Sequence, residues 1–161
     1  MPIDYFEYLS DDEGARVADF LLDMIRVEET VGSLIVSYYA HPDRRDEFNR
    51  MFVQRQTIGR RLELLKPILA ADDNGKALHA KLRDLVELRN TIAHSMPVFS
   101  YRSELTDDPY DPGEEYREYH VGDKVIEAIE LDLYSVMAMK AAAALAAFRS
   151  DVPSPQPPAV T

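Results

Sequence analysis

The chain has 161 residues, the size of one domain, and its 29 acidic side chains against 18 basic ones give a net charge of −11 at neutral pH. The absence of cysteine excludes disulfide bonds, thiolate metal sites and cysteine nucleophiles, and such an acidic chain is not expected to coat nucleic acid. Because the sequence shows neither a secretion signal at its start nor a run of about 18 apolar residues, we expect a soluble cytoplasmic protein without membrane contact.

Helical periodicity dominates the first part of the chain. Ser10 and Glu13 have the spacing of a capping box, and the helix that follows must end before Pro42 because proline disfavours a helical residue in front of it. Its apolar positions are Val17, Phe20, Leu21, Met24, Val31, Leu34, Ile35 and Tyr38. Asp43 is placed to cap a second helix, whose apolar positions are Phe48, Met51, Phe52, Ile58, Leu62, Leu65, Ile68 and Leu69.

A turn is predicted at residues 72–75, where the sequence reads Asp-Asp-Asn-Gly. A third helix follows and ends near residues 95–97, with apolar positions Leu78, Leu82, Leu85, Leu88 and Ile92. Two aromatic and β-branched segments, 98–105 and 115–121, flank a strong turn signal at 107–113. This pattern predicts a short β-hairpin or an extended loop with two arms.

A last helix is predicted after Asp123, with an alanine-rich second half. Its apolar positions are Val125, Ile126, Ile129, Leu133, Val136 and Met137. We therefore predict an all-α fold in residues 1–150, a four-helix up-down bundle with the hairpin or loop inserted between helices 3 and 4. Residues 151–161 contain four prolines and are expected to be a disordered tail.

Charge is unevenly distributed along the chain. Residues 44–94 carry 11 basic and 7 acidic side chains, a local balance of +4, whereas the rest carries 7 basic and 22 acidic ones, a balance of −15. A solvated helix face explains such a segment, and so does a surface that meets an anion. The arginines at 44, 45, 55, 60 and 61 cannot all share one helix face, so at most a subset reaches a bound strand.

Most catalytic templates are missing from the sequence. The six glycines form no phosphate-binding loop, and no His-Glu-x-x-His zinc motif occurs. The four histidines at 41, 79, 94 and 120 are too scattered to suggest a ligand set. We therefore expect neither a metal nor a cofactor.

The segment from Glu87 to Ser95 is the exception. At about 100° per residue, Arg83, Glu87, Asn90 and His94 form one polar stripe on the third helix. Arg89 falls instead among the apolar positions, where a guanidinium is costly unless it is paired or opens into a cleft. In a purely structural role, Arg89 would snorkel or pair with a carboxylate across the bundle, and His94 would cap helix carbonyls.

Arg89-Asn90-Thr91-Ile92-Ala93-His94 resembles the R-x4-6-H motif of the HEPN superfamily, in which a polar residue commonly follows the arginine. The resemblance extends to the helical architecture over about residues 10–150. It implies a homodimer with two motifs lining one cleft. In many members it also implies a metal-independent RNA endonuclease that acts as a toxin or in phage defence, with an antitoxin or other regulatory protein as partner.

The resemblance also implies roles for individual residues. His94 would move protons and Arg89 would hold the scissile phosphate while the 2′-hydroxyl attacks it, leaving a 2′,3′-cyclic phosphate. Asn90 would orient the imidazole or a phosphate oxygen. We assign substrate binding to Arg83 and Glu87 on the polar stripe and to Arg55 in the basic second helix.

Two other functions stay open. A HEPN-like bundle could serve only for dimerisation, nucleotide binding or protein interaction, with Arg89 and His94 in structural roles. An antitoxin or immunity protein could instead neutralise a basic partner through its acidic ends. The position of Arg89 separates these functions: a cleft shared between subunits near His94 favours catalysis, whereas a buried carboxylate partner within one bundle favours a structural role.

Met96 stands where some family toxins carry a modified tyrosine, which argues against regulation through modification of that tyrosine.

Overall fold

The computed structural model describes residues 6–7, 11–94, 98–103, 115–121 and 124–151. Within them lie five α-helices: α1 (Asp11–Tyr39), α2 (Arg45–Met51), α3 (Ile58–Leu69), α4 (Asp73–His94) and α5 (Ala128–Asp151). Short 3-10 turns, Pro42–Arg44 and Val53–Arg55, flank α2. The helical fold class predicted from periodicity is confirmed, whereas the four-helix up-down arrangement stays a prediction. The proline-rich tail beyond Asp151 lies outside the described residues.

Short strands accompany the helices: β1 (Phe6–Glu7), β2 (Val98–Ser103), β3 (Glu115–Val121) and β4 (Lys124–Glu127). They pair antiparallel in the order β1-β2-β3-β4, with Val98 opposite His120 in the central pair. The prediction of a helix directly after Asp123 is wrong, because β4 occupies its expected first turn. The proposed caps Ser10 and Asp123 and the predicted turn at 107–113 lie outside the described residues.

Helix α1 forms one wall of the core, and its apolar positions were predicted well. Phe20, Met24, Leu34 and Ile35 are fully buried, and Val27, which the predicted stripe omitted, joins them. Phe20 meets the ring of Tyr134 on α5 edge to face, with ring centroids 6.4 Å apart. The stripe ends sooner than predicted, since Tyr38 is exposed. The long α1–α5 contact is thus the main axis of the core.

The predicted second helix is broken into two helices. Phe52 and Gln56 leave the helical conformation, and Thr57 caps α3 by accepting a hydrogen bond from the backbone N–H of Arg60 at 3.3 Å. The side chain of Arg61 stabilises this interruption, because its Nε donates a hydrogen bond to the Val53 carbonyl at 3.1 Å. As a result Met51 and Phe52 lie exposed, contrary to the prediction of one continuous apolar face.

The first turn of α2 carries an ion pair between Arg44 and Glu47. The hydrogen bond from Arg44, aided by its charge, lowers the pKa of the Glu47 carboxyl below its usual value. Arg44 therefore has a counterion at the start of α2, while its side chain remains 68% exposed.

Residues 72–75 form the start of α4 rather than a free turn. The Asp72 carboxylate accepts a hydrogen bond from the backbone N–H of Gly75 at 2.7 Å, which caps the helix. A Cβ at Gly75 would lie 2.0 Å from the Leu69 carbonyl oxygen, so only glycine permits this approach of α3 and α4. The tight junction brings Leu82, Leu85, Leu88 and Ile92 of α4 into the core.

Helix α5 buries a different face from the one the sequence suggested. Leu131, Ala138, Ala141 and Leu145 are buried, whereas the predicted core residues Leu133, Val136 and Met137 are 58%, 40% and 38% exposed. The helix is apolar on nearly all sides, so its periodicity does not identify the buried face.

Part of α5, Glu130–Phe148, has a mean hydropathy of 1.4 and meets the length and composition of a membrane span. The sequence analysis found no such stretch. Only 22% of this window is buried inside the described structure, less than in the core helix of a soluble protein, and one such stretch by itself does not establish a span.

Candidate functional site

Arg89 is turned toward α1 and paired within the chain. Its Nη2 lies 3.2 Å from Oε1 of Glu28 on α1, and its Nη1 donates to the Asn90 side-chain oxygen at 3.0 Å. The Arg89 side chain is 31% exposed and that of Glu28 is 20% exposed. The guanidinium therefore sits at the edge of the core, with a counterion beside it and part of its surface open to solvent.

Glu28 is the residue that the sequence analysis missed. Its Oε1 is shielded from solvent and, among the described residues, makes no hydrogen bond besides its ion pair with Arg89. On a helical wheel Glu28 lies about 20° from the buried Ile35, so α1 places a charge at the border of its apolar stripe. The sequence signal that could have predicted this pair is a charged residue next to the apolar positions of each helix, Glu28 on α1 and Arg89 on α4.

Asn90 and His94 occupy the other side of α4. Asn90 is half-buried and accepts the hydrogen bond from Arg89, whereas His94 is exposed at the last residue of the helix. A separation of five residues places the side chains of Arg89 and His94 about 140° apart around the helix. Within the described part of the chain no hydrogen bond or ion pair joins His94 to Arg89 or Asn90.

The residues assigned to substrate binding are spread more widely. Arg83 and Glu87 are exposed on the polar side of α4, and Thr91 donates from its hydroxyl to the Glu87 carbonyl at 2.9 Å. Arg55 is exposed at the end of the second 3-10 turn. The structure thus brings Arg89, Asn90 and Glu28 together, and it places Arg55 on a separate element.

Another arginine of the described helices, Arg26, pairs with the buried Asp23 at 3.0 Å, but both residues lie on α1 and neither belongs to the motif. No group of three or more His, Asp or Glu side chains lies close enough to hold a metal ion within the described ranges. His79 is engaged elsewhere, with its Nε2 at 3.0 Å from the Leu62 carbonyl oxygen. Arg89 and its partners are therefore the principal candidate site.

The chain matches no protein-family model, no curated protein and no solved structure.

Proposed function

We propose that this chain is a HEPN-type, metal-independent RNA endonuclease that works as a homodimer. The pairing of Arg89 with Glu28 inside one chain is the arrangement expected of a structural role, and the observation that carries the proposal is that the pair stays partly open, with side chains 31% and 20% exposed. Asn90 accepts a hydrogen bond from Nη1 and Glu28 lies beside the guanidinium as its counterion, and the proposal assigns the remaining N–H groups to a phosphate. With 31% of its side chain exposed, Arg89 is both fixed in place and accessible to a ligand.

The chemistry follows from these groups. The ribose 2′-oxygen forms a bond to phosphorus as it loses its proton to an imidazole, and the bond from phosphorus to the 5′-oxygen breaks as that oxygen gains a proton. His94 is the exposed group on this helix suited to such transfers. Arg89 stabilises the negative charge that develops on the phosphate oxygens. Asn90 holds the guanidinium in its orientation and is therefore a positioning residue.

A second copy of the chain supplies the missing geometry. Arg89 and His94 point about 140° apart on one helix, so a phosphate held by Arg89 requires His94 from the partner across a two-fold axis. The exposed apolar side of α5, with Leu133, Val136 and Met137, supports association with another copy. In this proposal α1, the interrupted α2–α3 segment, α4 and α5 form the four-helix up-down bundle, with the hairpin inserted before α5.

The basic segment 44–94 guides the RNA. Arg83 lies two turns before Asn90 on the polar side of α4, and Arg55 extends the basic surface beyond that helix. Glu87 shares the polar stripe and meets the ribose or an amino group of a base. Because these contacts with phosphate are few, we expect the logarithm of the RNA binding constant to fall only slowly with the logarithm of the salt concentration.

A toxin or phage-defence effector in the cytoplasm is the role that fits such an enzyme. Its acidic exterior outside residues 44–94 suits a basic regulatory partner or antitoxin, because opposite surface charges speed association.

The test is cleavage of a mixed-sequence single-stranded RNA by the purified chain in the presence of EDTA. We expect products with 2′,3′-cyclic phosphate ends and a loss of at least about 100-fold in rate for His94→Ala. His41→Ala is the matched control, because His41 is also an exposed histidine at a helix end. Failure of the folded wild-type chain to cleave RNA or slow bacterial growth contradicts the proposal, as does unchanged cleavage by His94→Ala.

The ion pair between Arg89 and Glu28 favours a second function, a non-catalytic HEPN-like module for dimerisation, nucleotide binding or protein interaction. A guanidinium neutralised within its own chain has less charge to offer a phosphate. Under this alternative, Arg89→Ala lowers stability while the wild-type chain shows no cleavage. A folded Arg89→Lys variant separates the enzyme from the non-catalytic module. Lysine keeps the positive charge, and so part of the stability, but it cannot hold a phosphate in the bidentate way that arginine does.

A further inference from the structure

A cavity of about 320 Å³ lies beside the candidate site and has no part in the chemistry described so far. It is lined by residues of α1, α2, α3 and the 3-10 turn between the last two. Its polar lining consists of Glu28, Glu29, Ser33, Asn49, Gln54 and Arg61. Since Glu28 also pairs with Arg89, one side chain belongs to both the cavity and the candidate site.

The charges of this lining disfavour an anion. Glu28 is paired with Arg89, Glu29 has no ion-pair partner among the described residues, and Arg61 already donates to the carbonyl oxygens of Val53 at 3.1 Å and Gln54 at 3.5 Å. A phosphate placed here would meet like charge. The cavity therefore suits a ligand that brings N–H donors to a carboxylate.

Glu29 is the acceptor with capacity to spare. Glu28 is committed to Arg89, whereas Glu29 is exposed and takes part in no hydrogen bond or ion pair within the described helices. Asn49 is half-buried and Gln54 is exposed, and each brings a side-chain amide that can donate to a carbonyl. The lining thus combines a carboxylate acceptor with amide donors.

The size and this donor–acceptor pattern match one nucleobase. About 320 Å³ is near the lower end of ligand cavities, too small for an oligonucleotide. Guanine presents two adjacent N–H donors beside one carbonyl, so a carboxylate accepts both donors while an amide meets the carbonyl. Adenine, cytosine and uracil do not offer two adjacent N–H donors.

We propose that this cavity binds a guanine base of the single-stranded RNA, with Glu29 as its carboxylate acceptor. The inference rests on the proposed endonuclease activity for its biological meaning, since the shared Glu28 would place a bound guanosine near the phosphate held by Arg89. The expected consequence is a preference for cleavage beside guanosine. Base recognition itself requires only the cavity.

The experiment is calorimetric titration of the full-length His94→Ala chain with GMP, AMP, CMP, UMP and inorganic phosphate. We expect GMP to bind at least tenfold more tightly than the other nucleotides. Glu29→Gln should weaken GMP binding at least tenfold, because the amide cannot accept both N–H donors. The control is Glu63→Gln, at an exposed acidic residue of α3 outside the cavity, and it should leave the affinity for GMP unchanged.

Each contrary outcome has a distinct meaning. Equal binding of all four nucleotides, binding of phosphate alone, or no binding overturns the guanine site, and so does full GMP binding by a folded Glu29→Gln variant. In a parallel titration with argininamide, binding of argininamide but not of GMP overturns the guanine site and shows a cation site instead. RNA cleavage without any guanosine preference leaves the nuclease standing without this site. GMP binding without cleavage keeps the guanine site and removes the nuclease.

Discussion

Helices α1 and α5 pack against each other, yet apolar and charged residues are distributed differently around them. On α1, Phe20, Met24 and Val27 are buried and charged residues flank them. On α5, Leu131 and Leu145 are buried while an equally apolar opposite side faces solvent. Helix α1 also leaves Leu22 and Ile25 exposed, but charged residues share that side of the helix, whereas the side of α5 that carries Leu133, Val136 and Met137 has fewer charges. The exposed apolar side of α5 is therefore the surface that the proposed dimer would bury.

The largest expected effect is at the α1–α5 contact. Phe20→Ala should lower the free energy of unfolding by about 3 to 5 kcal/mol, because Phe20 is fully buried and meets Tyr134 of α5 edge to face. Chemical denaturation of the purified chain measures this loss. The control is Leu22→Ala on the same helix, which is 55% exposed and should change stability by less than about 0.5 kcal/mol. Similar losses in both variants would show that α1 does not pack as described.

The same two helices show how far the sequence determines the fold. The charges between the apolar positions of α1 define one stripe, so its buried residues could be predicted. On α5 nearly every position is apolar or alanine, and the choice of face depends on what α1 presents. The break before α3 was also missed, since it depends on Arg61 reaching the Val53 carbonyl from eight residues away.

The candidate site was predictable in part for a similar reason. Arg89 could be recognised because a cation stood among the apolar positions of α4. Its partner Glu28 lies on another helix, and only the packing of α1 against α4 brings their side chains to 3.2 Å. In the proposed homodimer, the position of His94 relative to the partner's Arg89 depends on the interface between copies, which the periodicity of one chain does not specify.

A substitution that fills space should distinguish the two sides of α5. Ala141→Leu places three extra carbons at a residue that is 4% exposed, so we expect a loss of about 1 to 3 kcal/mol in the free energy of unfolding. Ala144→Leu, one turn away on the exposed side, should change it by less than about 0.5 kcal/mol. Thermal and chemical denaturation of both variants provide the measurement. The reverse order of losses would mean that the predicted face, not the observed one, is buried.

Loss of the ion pair between Glu28 and Arg89 should have a smaller effect on the free energy of unfolding. Glu28→Gln keeps the size of the side chain but leaves Arg89 without its counterion, and we expect a loss of about 1 kcal/mol because both groups are partly exposed. Glu29→Gln is the neighbouring control and should be neutral. In a double-mutant cycle with Arg89→Met, a coupling energy near zero would show that the pair contributes nothing to stability.

The smallest change in stability is expected on the open side of α5, where the effect should appear in association instead. Leu133→Glu alters a residue that is 58% exposed, so the unfolding free energy of the monomer should change by less than about 0.5 kcal/mol. The same charge should abolish the proposed dimer in sedimentation experiments. Met51→Glu, at a residue 54% exposed on α2, should leave the dimer intact. Because each copy carries a charge of −11, added salt should strengthen the wild-type dimer. A dimer that survives Leu133→Glu would place the interface away from α5, and one that weakens with salt would show that opposite charges attract across the interface.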